Sequence, residues 1–299
     1  MDTVIAVDVG GTGLKCAIVT ADGTVVHTER HATGRERGPD AVVATILDVA
    51  AGLAGKADHP RAVGIVVPGV VDEVNGVASF SSNIGWRDLP LRALTEDKTG
   101  LPAALGHDVR AGGLAEARMG AAQGAGSSLF MPVGTGIASA FVLADRVYPG
   151  AHGAAGEIGH IVIRPGGRLC LCGQRGCLET EASAAAVASR YAELTGRPAT
   201  AAEVAERTRT GEKAAAEVWD ATVDALADGL HTAVALYDPE VIVIGGGLAE
   251  AGDTLMRPLA AALDARRTFH GRPRLVRAAL GDEAGCLGAA LLALDRLGT

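Results

Sequence analysis

The sequence predicts an α/β protein built from a duplicated domain, and three observations carry that prediction. Short β-branched runs alternate with longer segments of helical spacing. A glycine turn joins two strands twice, at "DVGGTGLK" and at "VGTGIASAF". The two segments also superpose. With Thr12 set on Thr135, Thr12-Gly13 meets Thr135-Gly136, Ala17 meets Ala140, Val19 meets Val142, and Ala21-Asp22 meets Ala144-Asp145. Any two glycine hairpins look alike, so the repeat alone leaves both readings open. Read as a duplication, it implies one phosphate loop per half with a cleft between the halves. The copies differ at one informative point: Lys15 corresponds to Ala138, so two loops facing one phosphate chain would not be equivalent.

The elements follow in order. "VIAVDVG", "LKCAIVT" and "TVVHTER" read as a meander of strands separated by glycine turns. Residues 40–54 have helical spacing, with Asp40 as N-cap. "AVGIVVPGVVD" is a buried strand stopped by Pro-Gly. "PAALGHDVRAGGLAEARMG" reads as strand, turn and helix, and "SSLFMPVGTGIASAFVLADRVY" opens a second strand system. Helices dominate residues 183–237. "VIVIGGGLAE" is strand, glycine loop and helix, "RLVRAA" is a last strand, and "AGCLGAALLALDRL" is a closing helix.

Composition bounds the function. The 299 residues suffice for one large domain or two ordinary ones. With 48% hydrophobic and 21% charged residues the chain is globular, and with 3% aromatics its core is aliphatic. A net charge of -8 argues against nucleic acid as a partner, because phosphate-backbone binding needs a basic face. The N-terminus has no basic segment before an apolar run, and no apolar run is long enough to span a bilayer. A cytoplasmic location with reduced thiols is expected.

"DVGGTGLK" is neither a Walker loop nor a dinucleotide fingerprint, because it joins two strands rather than a strand and a helix. Glycines let backbone N–H groups converge on an anion, and Asp8 beside a phosphate calls for a bridging Mg²⁺. Alone it reads equally as a tight hairpin with Asp8 as turn former. "VGTG" at 133–136 and "IGGGLAE" at 244–250 strengthen the phosphate reading, the last because it opens a helix.

Asp8, Gly10, Gly11, Thr12 and Lys15, then Gly134, Thr135 and Gly136, then Gly245, Gly246 and Gly247 resemble the two phosphate motifs and the adenosine motif of the actin/hexokinase/Hsp70 ATPase superfamily. "GEIGH" followed by "CLCGQRGCLE" resembles the signature of the ROK family (repressors, open reading frames and sugar kinases). The resemblance runs in order from residue 4 to about 295. It implies a two-lobed, ribonuclease H-like (actin-like ATPase) α/β fold, with duplicated mixed β-sheet domains, flanking helices and a cleft. A small lobe of residues 1–110, joined by helix 284–299, would face a large lobe of residues 111–283 that carries the cysteine loop. ATP as its Mg²⁺ complex would lie against the three loops, with Lys15 either beside the phosphates or a solvent-facing strand residue.

Phosphorylating a hydroxyl requires a group to accept its proton. Asp108, at a helix start, serves equally as base or N-cap by position; the resemblance makes it the catalytic base. The family often has Asn before this Asp, where this chain has His107, which leaves the role of that side chain open. Asn83 in "SSNIGWRDLPL" is a turn residue or a hydroxyl reader. In the resemblance it holds the sugar with Asp108, Glu157, His160 and Glu179. Either glutamate could be a solvated charge, but both sit at fixed spacing from the cysteines.

Cys170, Cys172 and Cys177 offer three thiols at i, i+2 and i+7, with glycines at 173 and 176. Four-coordinate zinc needs one more ligand, and His160 lies ten residues upstream. A closed Cys₃His site is structural; a Cys170–Cys172 disulfide, strained in so short a loop, and free thiols are the alternatives. With one nitrogen on Zn²⁺, His160 keeps the other for a sugar hydroxyl.

The expected activity is ATP-dependent phosphorylation of a hexose 6-hydroxyl, most of all of glucose, with the lobes closing on the sugar. Kinases for N-acetylmannosamine, N-acetylglucosamine, fructose or allose share the motifs, and a polyphosphate donor is the alternative to ATP. A DNA-binding repressor is disfavoured because the first phosphate strand starts at residue 4, and a non-catalytic sugar-responsive regulator because Asp8 and Asp108 are intact. A homodimer or homotetramer is implied, with no nucleic acid and no membrane as partner.

Overall fold

A computed structural model describes residues 1–298; Thr299, the last residue of the expected closing helix, lies outside them. The chain divides into two compact units. Among the described residues, unit 1 comprises 1–115, 147–155 and 282–298, and unit 2 comprises 116–146 and 156–281.

In unit 1 the expected meander forms β1 (Thr3–Val9), β2 (Gly13–Thr20) and β3 (Val25–Ala32). Helix α1 (Pro39–Lys56) leads to β4 (Pro60–Val67). Gly38 is the N-cap of α1, not Asp40: it takes a left-handed turn at φ 93°, Pro39 occupies N1, and Asp40 falls in the first turn. A carboxylate there still favours the positive helix end. A small sheet of β5 (Val70–Asp72), β6 (Val77–Phe80) and β7 (Arg87–Leu89) follows. Strands of three or four residues leave too little periodicity to see in sequence. Helix α2 (Leu91–Thr99) precedes β8 (Ala103–His107), which runs into α3 (Asp108–Arg118) without the expected turn.

Unit 2 begins with β9 (Ser127–Pro132), β10 (Ala140–Leu143) and β11 (Arg146–Val147), the last at the point of crossing to unit 1. Helices α4 (Leu178–Ala182), α5 (Ala184–Thr195), α6 (Ala201–Arg209) and α7 (Lys213–Tyr237) follow. Then come β12 (Val241–Gly245), α8 (Asp253–Arg266) and β13 (Arg274–Arg277). The closing helix α9 (Ala284–Leu297) returns to unit 1.

The two main sheets share one plan. Their orders are β3-β2-β1-β4-β8 and β11-β10-β9-β12-β13. In each, an antiparallel hairpin is extended by two parallel strands. The shift that sets Thr12 on Thr135 lays β1 on β9, so the faint repeat reflects two copies of one sheet. Each unit has its own hydrophobic core, mostly aliphatic. Ile5, Ile46, Leu53 and Ile65 are fully buried or nearly so in one, and Leu129, Leu178, Trp219 and Leu226 in the other. Helix α9 adds Cys286, Ala289 and Ala293 against Val4, Ala6 and Val66. No helix among the described residues is long and apolar enough to cross a membrane.

Candidate functional site

Unit 1 carries the first glycine loop, Lys15, Asn83 and Asp108. The loop closes by a hydrogen bond from Gly10 N–H to Gly13 O at 2.8 Å. Thr33, fully buried, braces it: its hydroxyl donates to Gly10 O at 2.8 Å and its N–H to Thr12 O at 3.1 Å. Nothing in the sequence around Thr33 signals this, because β3 brings it back from 23 residues away. Asp8 and Lys15 are cross-strand partners. Burial pushes the Asp8 carboxyl up to about 6, partly opposed by the Lys15 ammonium. Lys15 is itself ion-paired to Asp282 just before α9. The start of α9 comes so close that a methyl on Gly285 would fall 2.5 Å from Asp8 Oδ2.

Asp108 is the first residue of α3, and its Oδ1 accepts the Val109 N–H at 2.7 Å. His107 Nδ1 lies 3.3 Å from the same oxygen. Burial, with the Arg110 charge adding to it, pushes the His107 imidazole down to about 3, so it is neutral. Asn83 is exposed, between buried Ser81 and Ile84.

Unit 2 brings the second and third glycine loops together. The N–H of Val133 donates to Gly245 O at 2.9 Å, and that of Leu248 to Val133 O at 3.0 Å. Gly246 has φ 75°, and a methyl there would fall 2.6 Å from Val133 O, so the approach requires glycine. The third loop opens a five-residue 3₁₀ helix, Gly247–Ala251, rather than the expected α-helix, which starts at Asp253. A cavity of ≈ 200 Å³ opens beside it, lined among others by Ala202, Ala205, Trp219, Gly247 and Thr254.

The glutamates and cysteines of "GEIGH" and "CLCGQRGCLE" lie in the same unit. Glu179, in the first turn of α4, accepts the Ile137 N–H at 3.0 Å, and Ala184 N–H donates to Gly134 O at 2.8 Å. The second loop is thus held by the element that ends the cysteine motif. The ligand atoms of His160, Cys170, Cys172 and Cys177 all lie within 4.8 Å of one another. His160 Nδ1 is 3.6 Å from Cys170 Sγ, and Cys172 Sγ is 3.6 Å from Cys177 Sγ. Thiolates ~2.3 Å from a tetrahedral zinc sit ~3.8 Å apart, so the donor set and its spacing fit Zn²⁺. Burial and the neighbouring thiols push the Cys177 thiol up to about 12. His160 Nε2 points the other way, 3.9 Å from Glu157 Oε2.

Sequence reasoning missed Glu73, Arg110 and Glu116. Glu116 is fully buried, and its carboxylate accepts the N–H groups of Ala121, Ala279 and Leu280 at 2.8–3.2 Å. Its partners are too distant in sequence to be read there.

The chain is 33% identical to a glucokinase of Thermotoga maritima, covering 98% of each chain. It is 31% identical to a kanosamine kinase of Amycolatopsis mediterranei, covering 97% of this chain and 95% of that one. Among solved structures, a ROK hexokinase from Thermus thermophilus matches with a TM-score of 0.85 and 34% identity over 99% of each chain. A ROK glucokinase from Streptomyces griseus, in complex with glucose and AMPPNP, matches with a TM-score of 0.85 and 28% identity over 98% of this chain and 99% of that one. The sequence profile of the ROK family spans residues 4–296, and with relatives matched over nearly their whole length, this chain belongs to the ROK family.

Proposed function

We propose that this ROK protein is an ATP-dependent hexose kinase that transfers the γ-phosphoryl group to a 6-hydroxyl, with glucose as the favoured acceptor. One observation carries the reading. In unit 2 a continuous set of hydrogen bonds runs from the third glycine loop through the second to Glu179, which leaves the His160–cysteine cluster. Nucleotide-binding backbone and hydroxyl-reading side chains therefore share one framework. The glucokinase and hexokinase relatives support the same chemistry.

In this reading Asp8 and the loops 10–12, 134–136 and 245–247 hold Mg²⁺-ATP, and the cavity beside Gly247 takes the adenine. Asn83, Glu157, His160 and Glu179 hold the sugar hydroxyls, and Asp108 takes the proton from the attacking oxygen. Magnesium would supply charge neutralisation at the phosphates, and zinc would hold the His160 loop. Catalysis is otherwise positioning and preorganised charge. A coupled assay over glucose, mannose, fructose, the N-acetylhexosamines and kanosamine tests the acceptor, and competition between ATP and polyphosphate tests the donor. Higher kcat/KM for an amino sugar than for glucose overturns the glucose assignment. The assembly is expected to be a homodimer or homotetramer, which light scattering reads.

Two outcomes follow. Ala202 is exposed and lines the cavity. Ala202→Leu should raise the KM for ATP about tenfold and leave the sugar KM within about twofold, since each buried CH₂-sized clash costs on the order of 1 kcal/mol. An unchanged ATP KM would place the adenine elsewhere.

The second outcome concerns pH. Asp8 is protonated below about 6 and ionised above it. Below that pH, kcat/KM for Mg²⁺-ATP should fall about tenfold per pH unit, and Asp8→Asn should abolish the limb together with most activity. Stability is the poorer readout. A raised Asp8 stabilises the fold below the unfolded value and loses that contribution as pH rises through about 6. The depressed His107 contributes above its unfolded value and loses its contribution as pH falls toward about 3. The two oppose each other over the same window. A flat kcat/KM profile between pH 5 and 7 would exclude Asp8 from the magnesium site.

A further inference from the structure

Arg110 has no part in the reaction as described, yet it is 3% exposed, on the first turn of α3. A buried ion pair is weak evidence of stabilisation, because desolvation offsets the attraction. Its geometry suggests another use. Nε donates to Glu73 Oε1 at 2.8 Å, and Nη1 donates to Gly153 O at 2.9 Å. The same Glu73 oxygen accepts the backbone N–H of His107 at 3.3 Å. The Arg110 backbone N–H in turn faces His107 Nδ1 at 3.4 Å. The residue before Asp108 and the residue two after it are thus tied to one carboxylate oxygen, and the segment carrying Gly153 is tied to the same guanidinium. Reaching two partners in different directions uses the planar fork of arginine, which a lysine ammonium lacks.

We propose that Arg110 and Glu73 are positioning residues for Asp108: their buried pair fixes the junction of β8 and α3 and so aims the Asp108 carboxylate at the acceptor hydroxyl. The inference rests on the reading of Asp108 as proton acceptor. A misplacement of about 1 Å at such a group costs on the order of 10²-fold in rate.

The test is steady-state kinetics with glucose and Mg²⁺-ATP on Arg110→Met, Arg110→Lys and Glu73→Gln, each in the native and in the Asp108→Asn background. Arg110→Met should lower kcat about 30- to 100-fold with the ATP KM within about twofold. Arg110→Lys should recover part of the loss, and Glu73→Gln should fall between. In the Asp108→Asn background, Arg110→Met should cost less than about twofold more, because its effect passes through Asp108. A lowered Tm with native kcat would make the pair merely structural and overturn the proposal. An equal fold-loss in both backgrounds would overturn it too. Native kcat in Asp108→Asn would instead sink the reading of Asp108 as base, and the positioning role with it. If Arg110→Met does not fold, Glu73→Gln, at a partly exposed site, decides by the same readouts.

Discussion

Asp108→Asn is expected to lower kcat about 10³-fold while changing the sugar KM less than about fivefold, the size of effect associated with a positioned proton acceptor. The substitution is nearly isosteric. The amide oxygen can still accept the Val109 N–H that Oδ1 accepts at 2.7 Å, and Asn serves as well as Asp at a helix start. The melting temperature should therefore stay within a few degrees, which separates chemistry from folding. Asn cannot take a proton from the attacking hydroxyl. A coupled assay beside a thermal melt reads both quantities, and a variant of near-native kcat would move the base to another residue.

The second large effect is expected from removing the metal that the proposed His160–cysteine site would hold. Chelation, or Cys177→Ser, is expected to raise the sugar KM tenfold or more and to lower Tm by roughly 10 °C, in line with the stabilisation given by structural zinc and its supporting shell. The reason lies in what the loop carries. His160 faces the thiols through Nδ1 and Glu157 through Nε2. Cys177 is the N-cap of α4, whose first turn holds Glu179 on the Ile137 N–H. In the proposed site, loss of the cation would leave crowded thiols, free the imidazole and loosen both glutamates. The KM for ATP should rise as well, though less, because Glu179 braces the second glycine loop. Metal content, melting curves and the two KM values are the measurements. A metal-free protein that stays folded and binds sugar normally would reduce the cluster to a surface staple.

Much of this site was legible in the sequence. Residues whose function depends on near neighbours announce themselves by spacing: the glycines of the three loops, and the thiols at 170, 172 and 177 with His160. The structure gathers those four ligand atoms in one place. Position alone left Asp108 undecided between cap and base, since the same carboxylate at a helix start serves either purpose.

What escaped sequence reading depends on pairs far apart in the chain. Lys15 lies beside the first loop in sequence, but its ion pair is with Asp282, which only the return of α9 brings near. Thr33 braces Gly10 because β3 folds back onto β2. The Arg110–Glu73 pair is invisible in sequence, because a single arginine and a single glutamate carry no pattern until β5 and β8 belong to one unit.

By itself, then, the sequence carried the α/β class, a faint trace of the duplicated sheet, the positions of the glycine loops and the grouping of His160 with the three thiols. Each is written in local periodicity or short spacing, where covalent geometry and hydrogen bonding act over a few residues. The tertiary structure decided which charges are buried, and with what partners. Asp8 rises to about 6 and His107 falls to about 3 because packing removes them from water. Desolvation is a property of the assembled core, to which every distant segment contributes, and no local stretch of sequence contains it.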